Sequence, residues 1–451
     1  MSITYRLSEF VVATPASDIP VEVARRAITL TTDLIGSTFR AAQDSDSSPA
    51  MLDMVEMLGL GGAGPCTVFG LNRRFGAAAA ALLNGAFGHS LDFDDTHAAS
   101  SLHPSAPVVP AALAVAELTG ASGPETVAAI VMGYEACCRL GVALDPAAHY
   151  ARGFHPTATA GNFGAAIAAG RLLGLDAAAM NSALGIAASQ ASGSLQFLAN
   201  GAWNKRYQVG EAAMKGVMAA TLAAKGFKGA CEALEGNHGF LRGYSDRSSP
   251  ERVVAELGVD WETMRIALKP YPACRYTHAA VDGLLAMQRQ HHWQSDEITA
   301  VTIGLHTNGI ALVGDPLESK QKARSIVEGQ FSMPFAGAVA LLRGRFGWDD
   351  YDLLGAQEAE ALAARISVHR DLSLEGLDHP FGASVEVEAR GQVHRLVVSD
   401  PSGEPASFPD DAAVEEKFTG LVRPVLNMST AVWLERLRAL GEAPSLKGYF
   451  P

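Results

Sequence analysis

Cysteine is scarce in this chain. Cys66, Cys137, Cys138, Cys231 and Cys274 are the whole set, two of them are adjacent, and none fall at CxxC spacing. Neither a disulfide framework nor a zinc site is signalled, and a reducing cytoplasm is the simplest home. Basic charge is short as well: 35 Lys and Arg stand against 48 Asp and Glu, a formal charge of -13, with no long cationic run. Nucleic acid and acidic membrane surfaces are therefore disfavoured as partners, because both need clustered cations. An anionic substrate would need a locally basic pocket. No run reaches about 18 uninterrupted apolar residues, and the opening MSITYRLSEF carries an acidic residue and no apolar segment, which disfavours membrane spanning and secretion. No repeat of fixed period is visible, and GLGGAG at 59–64 lacks the GK[ST] that would make it a nucleotide loop.

What is present is small and apolar. With 451 residues, 48% hydrophobic and 45 Gly, the chain has ample material for a core and for two domains. Two textures divide it. From about Pro20 to Leu257, segments such as FGAAAAALLNGAFGHSL, PETVAAIVMGYEACCRLGVAL and VGEAAMKGVMAATLAAKGF repeat apolar residues at i, i+3 and i+4 between Gly or Pro breaks, the pattern of packed helices. From about Met264 to Ser399, TAVTIGLHT, RISVHRD and SVEVEAR-G-QVHRLVVS alternate at period two, with a hairpin turn expected at Arg390-Gly391. A helix over KARSIVEGQFSMPFAGAVALLRG interrupts those strands, and helical periodicity returns from Asp411 to Leu440. The expected class is mainly α: a large helical domain beginning with 1–263, a smaller α+β domain over 264–399, and a segment 400–451 returning to the helices.

Chemistry concentrates first in NGAFGHSLDFDDTHAASSLHPSAP, where His89, His97, His103, Asp92, Asp94 and Asp95 share 24 residues. Carboxylates are seldom buried unless paired, so this density beside Ala-rich helices marks a polar pocket. Helical spacing places His89, Asp92 or Phe93, and Thr96 on one face, and His103, before Pro104 and Pro107, belongs on a loop. The plain alternative is that His89 and His97 are internally satisfied helix histidines and that Asp94 or Asp95 pairs with an arginine. A second cluster, HYARGFHPTATAGNFG, sets Tyr150, Arg152 and His155 before a helix whose first turn holds Thr157 and Thr159, where free amides suit an anion. Third, Lys205 and Arg206 precede an Ala-rich helix; either would serve equally as a surface charge. Fourth, LKPYPACRYTHAAVDGL brings Lys269, Arg275 and His278 to the texture change. A lysine screened from water beside other cations becomes a usable base, with Arg275 and His278 as carboxylate partners; an ordinary exposed lysine is the competing reading.

Taken in order, NGAFGHSLDFDDTH, HPTATAGNFGAA, the Lys205 segment, KPYPACRYTHAAVD and QFSMPFAGAVALL resemble the hallmarks of the MmgE/PrpD family over most of the chain. That family includes 2-methylcitrate dehydratase, cis-aconitate decarboxylase and iminodisuccinate epimerase. The resemblance implies a large all-helical domain, a smaller α+β lid domain, a homodimer, and a pocket lined by Asp92, Thr96, His103, His155, Lys205 and Lys269; His89, from the first cluster, is a further substrate-binding candidate. Two departures stand out: Cys274 replaces the histidine of the KxxxxH pattern in the decarboxylase branch, and a tyrosine expected near Leu312 is missing. Both demote decarboxylation. Such a set removes a proton from carbon beside a carboxylate while cations stabilise enolate-like charge, with no cofactor and no metal required. Return of the proton by Tyr150 or His155, opposite Lys269, makes an epimerase, the favoured outcome on an iminodisuccinate-like dicarboxylate. Departure of a β-hydroxyl assisted by His103 makes a dehydratase. From other classes, Asp92, Asp94 and Asp95 holding Mg2+ for a diphosphate lacks the DDxxD/E register, and a helical scaffold without activity leaves four polar clusters unexplained.

Overall fold

Helices rich in Gly and Ala can approach until their backbones touch, and the first folded unit is built on that principle. The computed structural model describes residues 1–376, 380–426 and 429–451. This unit comprises Met1–Ser90, Asp94–Leu268 and Asp410–Pro451. Helices Ala77–Gly88 and Asn204–Ala224 cross where a Cβ on Gly210 would lie 2.3 Å from the Leu82 carbonyl oxygen. Helices Gly123–Ala143 and Pro156–Leu172 meet the same way, the missing Cβ atoms of Gly133 and Gly164 lying 2.9 and 2.7 Å from each other's carbonyl oxygens. Contacts this close bring dispersion along whole helix faces, and any larger side chain would push them apart. Helix Gly123–Ala143 is long and apolar enough to cross a membrane, but 94% of that window is buried among its neighbours. The tail helices Asp411–Val422 and Thr430–Arg438 belong to the same unit, where Lys417 reaches the buried Asp33 at 2.7 Å.

Three of these helix ends deliver chemistry. His89 is the C-cap of Ala77–Gly88, His155 the N-cap of Pro156–Leu172, and Lys205 lies in the first turn of Asn204–Ala224. The expected single helical face through His89, Asp92 and Thr96 does not exist. The helix stops at Gly88, Asp92 takes a positive φ of 51°, and Thr96 begins a two-residue strand paired with Ala267. Ser90 and three aspartates compete for backbone groups and oppose helix continuation, and Asp is among the few residues that tolerate the left-handed region. His103 is on a loop, as Pro104 dictates, but Pro107 and Pro110 sit inside helix Ser105–Thr119. Pro107 falls in the first turn, where its missing N–H has no partner to lose.

The second unit comprises Leu91–Phe93 and Lys269–Pro409. Its sheet runs in the order Ile366–Arg370, Ile298–Leu305, Ala383–Ala389, Gln392–Val398, parallel at the first pairing and antiparallel at the others. Ala383, Val385, Val387 and Ala389 are buried, as the period-two pattern requires, and Gly283 of helix His278–His291 lies where a Cβ would meet Val385 at 3.2 Å. Arg390 and Gly391, with φ of 51° and 71°, make the hairpin turn, a conformation that matches the strands' twist. The stretch read as one helix is two, Ile326–Gln330 and Met333–Arg343, because Ser332 caps the second by accepting from Phe335 N at 3.0 Å and Pro334 enforces the restart.

Candidate active site

In the helical unit, one carboxylate faces two imidazoles. Asp94, fully buried, places Oδ2 2.6 Å from His89 Nδ1 and 3.5 Å from His103 Nδ1. The His89 and His103 rings meet edge to face at 4.8 Å, and His89 stacks on His155 at 6.0 Å. His103 is fixed through its backbone N–H, which donates to Thr157 Oγ1 at 3.1 Å. His155 Nδ1 lies 3.3 Å from Gln208 Oε1. An amide oxygen only accepts, so Nδ1 carries the proton and Nε2 keeps its lone pair. Burial, then the charges of His89, Lys205 and His103, hold His155 well below the ordinary histidine range. A neutral imidazole with an available Nε2 is the form a general base requires.

The remaining predicted residues of this unit divide. Lys205 is half-buried and among the cations that keep His155 neutral. Thr96 is buried and its hydroxyl has no protein hydrogen-bond partner, which is costly unless a ligand supplies one. Tyr150 is 40% exposed and its hydroxyl donates to the Ser101 carbonyl at 3.3 Å. The two threonine hydroxyls in the first turn of helix Pro156–Leu172 are occupied: Thr157 holds His103, and Thr159 bridges His149 Nε2 and the His155 carbonyl. Arg206 is no surface charge; it is buried and bonds Ser45, Asp46 and Ser47. Asp95 is structural, accepting from Ser105 N and Oγ, and burial beside Asp94 raises its pKa well above the ordinary carboxylate value.

In the second unit, Lys269 is buried, donates to the Asp92 carbonyl at 2.9 Å and pairs with Asp92 Oδ1 at 3.2 Å. The exposed-lysine reading fails. Arg275 and His278, expected as carboxylate partners, have partners of their own. The Arg275 Nε and Nη2 groups grip Glu404 Oε1 at 3.0 and 2.6 Å, and Nη1 donates to His278 Nδ1 at 3.0 Å. His278 therefore donates from Nε2 to the Ala273 carbonyl at 3.1 Å. It stays neutral because burial, Arg275 and Lys269 push its pKa well down. Both residues tie down the loop that follows Lys269. Tyr351 adds a strut from its hydroxyl to the Pro272 carbonyl at 2.6 Å.

Sequence reasoning placed Asp94 in the first cluster but weighed an arginine as its partner rather than the two imidazoles it faces, and it passed over Gln208, Tyr351 and Glu404. Gln208 had a local signal, three residues after Lys205 on the same helical face; Glu404 and Tyr351 had none. The three aspartates do not act as one metal-binding trio, because Asp95 is spent on Ser105 and Asp92 on Lys269. Donor atoms of His89, Asp94 and His103 do lie within 4.8 Å of one another, and two nitrogens with one oxygen would suit a divalent ion such as zinc.

A stability prediction follows from His155. Its folded pKa lies below the unfolded one, so the contribution is fully present above the unfolded value of about 6.5 and is lost progressively as pH falls from there toward the lower folded pKa. Raised carboxylates such as Asp95 act with the opposite sign, so the difference between wild type and His155→Gln isolates the effect. The variant's urea midpoint should fall less on acidification below that pH. Parallel midpoints would reject a neutral, buried His155.

A family model described as the MmgE/PrpD N-terminal domain matches residues 5–253, and one described as the MmgE/PrpD C-terminal domain matches 271–437. The cis-aconitate decarboxylase-like protein oryM of Aspergillus oryzae is 29% identical over 453 residues, 94% of this chain and 92% of that protein. Cis-aconitate decarboxylase of Aspergillus terreus is 35% identical over 240 residues, 51% of this chain and 49% of that protein. The human cis-aconitate decarboxylase is 34% identical over 218 residues, covering 47% and 44%. With these last two, the match spans about half the length of each relative or less.

Proposed function

Because this chain belongs to the MmgE/PrpD family, we propose that it is a cofactor-independent enzyme transferring a proton at a carbon beside a carboxylate of a small di- or tricarboxylate. The observation that carries this reading is the neutral His155, with Nε2 available, stacked in one buried cluster with the His89–Asp94–His103 set. His155 is the base. His103, backed by Asp94, is the acid, because a carboxylate behind an imidazole stabilises its protonated form. Lys205 and Lys269 are the cations for substrate carboxylates and for the charge that develops on deprotonation; a lysine already holding Asp92 does the work of a cation, not of a base. The Thr96 hydroxyl supplies a hydrogen bond to substrate.

Among the fates of the deprotonated carbon, we favour epimerisation of an iminodisuccinate-like dicarboxylate, with Tyr150 returning the proton. Its support is Cys274 in place of the decarboxylase branch's histidine and Leu312 near the expected tyrosine. The second reading is a decarboxylase, favoured by the relatives, two of which are named cis-aconitate decarboxylase and one cis-aconitate decarboxylase-like; a dehydratase is the further alternative.

The test is incubation in D2O with iminodisuccinate, 2-methylcitrate, citrate and cis-aconitate in turn, followed by proton NMR with and without EDTA. Deuterium entering an intact skeleton supports epimerisation, vinyl signals a dehydratase, and CO2 with a new methylene the decarboxylase. Turnover is expected to survive EDTA unchanged; its loss and recovery with a divalent ion would convert His89, Asp94 and His103 into a metal site. Silence across the panel would favour the scaffold.

A further inference from the structure

Asp94 Oδ2 lies between two imidazole nitrogens, 2.6 Å from His89 Nδ1 and 3.5 Å from His103 Nδ1, and one donor atom from each residue falls within 4.8 Å of the other two. Zinc holds imidazole nitrogen at about 2.0–2.1 Å and carboxylate oxygen at about 2.0–2.2 Å, so neighbouring donors of a tetrahedral site stand about 3.3 Å apart. The two separations from Asp94 straddle that value. Small adjustments close the rest, because none of the three donors sits inside a helix. His89 is the C-cap of Ala77–Gly88, Asp94 belongs to the irregular stretch before Thr96, and His103 lies on the loop before helix Ser105–Thr119. The side chains of His89 and Asp94 are fully buried while that of His103 is 15% exposed, so the trio is closed behind and opens on the His103 side. Two nitrogens and one carboxylate oxygen, with a fourth position left for water, suit zinc; magnesium prefers oxygen donors in an octahedron.

We propose that His89, Asp94 and His103 form an inhibitory zinc site, so that free Zn2+ acts as a brake on the proton transfer carried out beside it. With Nδ1 on zinc, His103 no longer faces Asp94 and loses the carboxylate that stabilises its protonated form, because the Asp94 charge is committed to the metal. The ion also sets two positive charges beside His155, whose ring stacks on that of His89 at 6.0 Å. A base that must become cationic in the reaction is opposed by them. Acid and base are thus disabled together, and the loss falls on kcat. This brake rests on the reading of His103 and His155 as acid and base; the zinc site itself rests on the donors alone.

Calorimetric titration of the full-length protein with Zn2+, and with Mg2+ as the control, reads the site without turnover. Zinc should bind with a Kd of about 1 μM or below, and magnesium should not bind. Asp94→Asn and His103→Gln should each weaken zinc by more than about 100-fold, beyond the effect of residues that merely support a ligand. Asp94→Glu keeps the carboxylate and should stay within about ten-fold of wild type, which separates a lost ligand from a lost fold. His394→Gln removes half of the other close imidazole pair, His291 and His394 with ring centroids 4.2 Å apart, and should change neither zinc binding nor turnover. On any substrate turned over in D2O, zinc should lower kcat by about ten-fold or more, and EDTA should restore it. No zinc binding, undiminished binding in Asp94→Asn, loss of binding in His394→Gln, or turnover that saturating zinc leaves unchanged or raises would each overturn the brake. A silent substrate panel together with zinc lost from Asp94→Asn would remove the reaction and leave the metal site. Turnover in a protein that binds no zinc would do the reverse.

Discussion

Lys269→Ala is expected to lower kcat by about 10²–10⁴-fold and to destabilise the fold by roughly 3–5 kcal/mol, two losses with one cause. Lys269 and Asp92 are both buried, 1% and 3% exposed, and each is the other's counter-ion. Removing the ammonium leaves a carboxylate in a desolvated place with its attraction gone, and that desolvation, more than any lost contact, sets the stability cost. Asn is nearly isosteric with Asp and also tolerates the positive φ at residue 92. The double variant Asp92→Asn, Lys269→Met should therefore recover most of the urea midpoint while remaining inactive. Recovery of turnover in the double variant would show that Lys269 acts only as a counter-ion; near wild-type turnover in Lys269→Ala would remove it from the site altogether.

Asp94→Asn is the second large effect, expected at about 10²–10⁴-fold in kcat with a smaller change in KM. The amide keeps the volume but replaces the charge that His89 and His103 face with a dipole, and an amide NH2 turned toward an Nδ1–H would repel it. Both imidazolium forms lose their stabilisation, so the arm of the pH–rate profile set by the acid should move to lower pH. Asp94→Glu, which keeps the charge, should recover part of the rate and return that arm toward its wild-type position. An Asp94→Asn enzyme with an unshifted profile would make Asp94 a packing residue.

The sequence texture changes at about 264 and 399, and the compact units change at 269 and 409. Side-chain alternation was enough for the sheet because its outer strand, Gln392–Val398, is largely open to solvent on both faces while Ala383–Ala389 buries one face. Density of titratable groups was enough to mark residues 84–107 as special. It was not enough to distribute roles among three neighbouring aspartates, because what separates Asp92, Asp94 and Asp95 is backbone direction. A single left-handed residue turns their carboxylates toward Lys269, two imidazoles and Ser105 respectively. Glu404 was invisible for a related reason: its partner Arg275 lies 129 positions away, and no local pattern reports a pair so separated.

The three-residue strap Leu91–Phe93 belongs to the second unit, although both flanking segments belong to the first, so the chain passes between the units four times. The smaller unit is consequently not a cassette. An engineer who exchanged 269–409 for the corresponding stretch of a relative would transplant a lysine while leaving its aspartate in the recipient. Inheritance by recombination meets the same obstacle: a crossover anywhere between residues 93 and 269 separates the pair. Chimeras of this protein should be designed with the strap and the unit moved together.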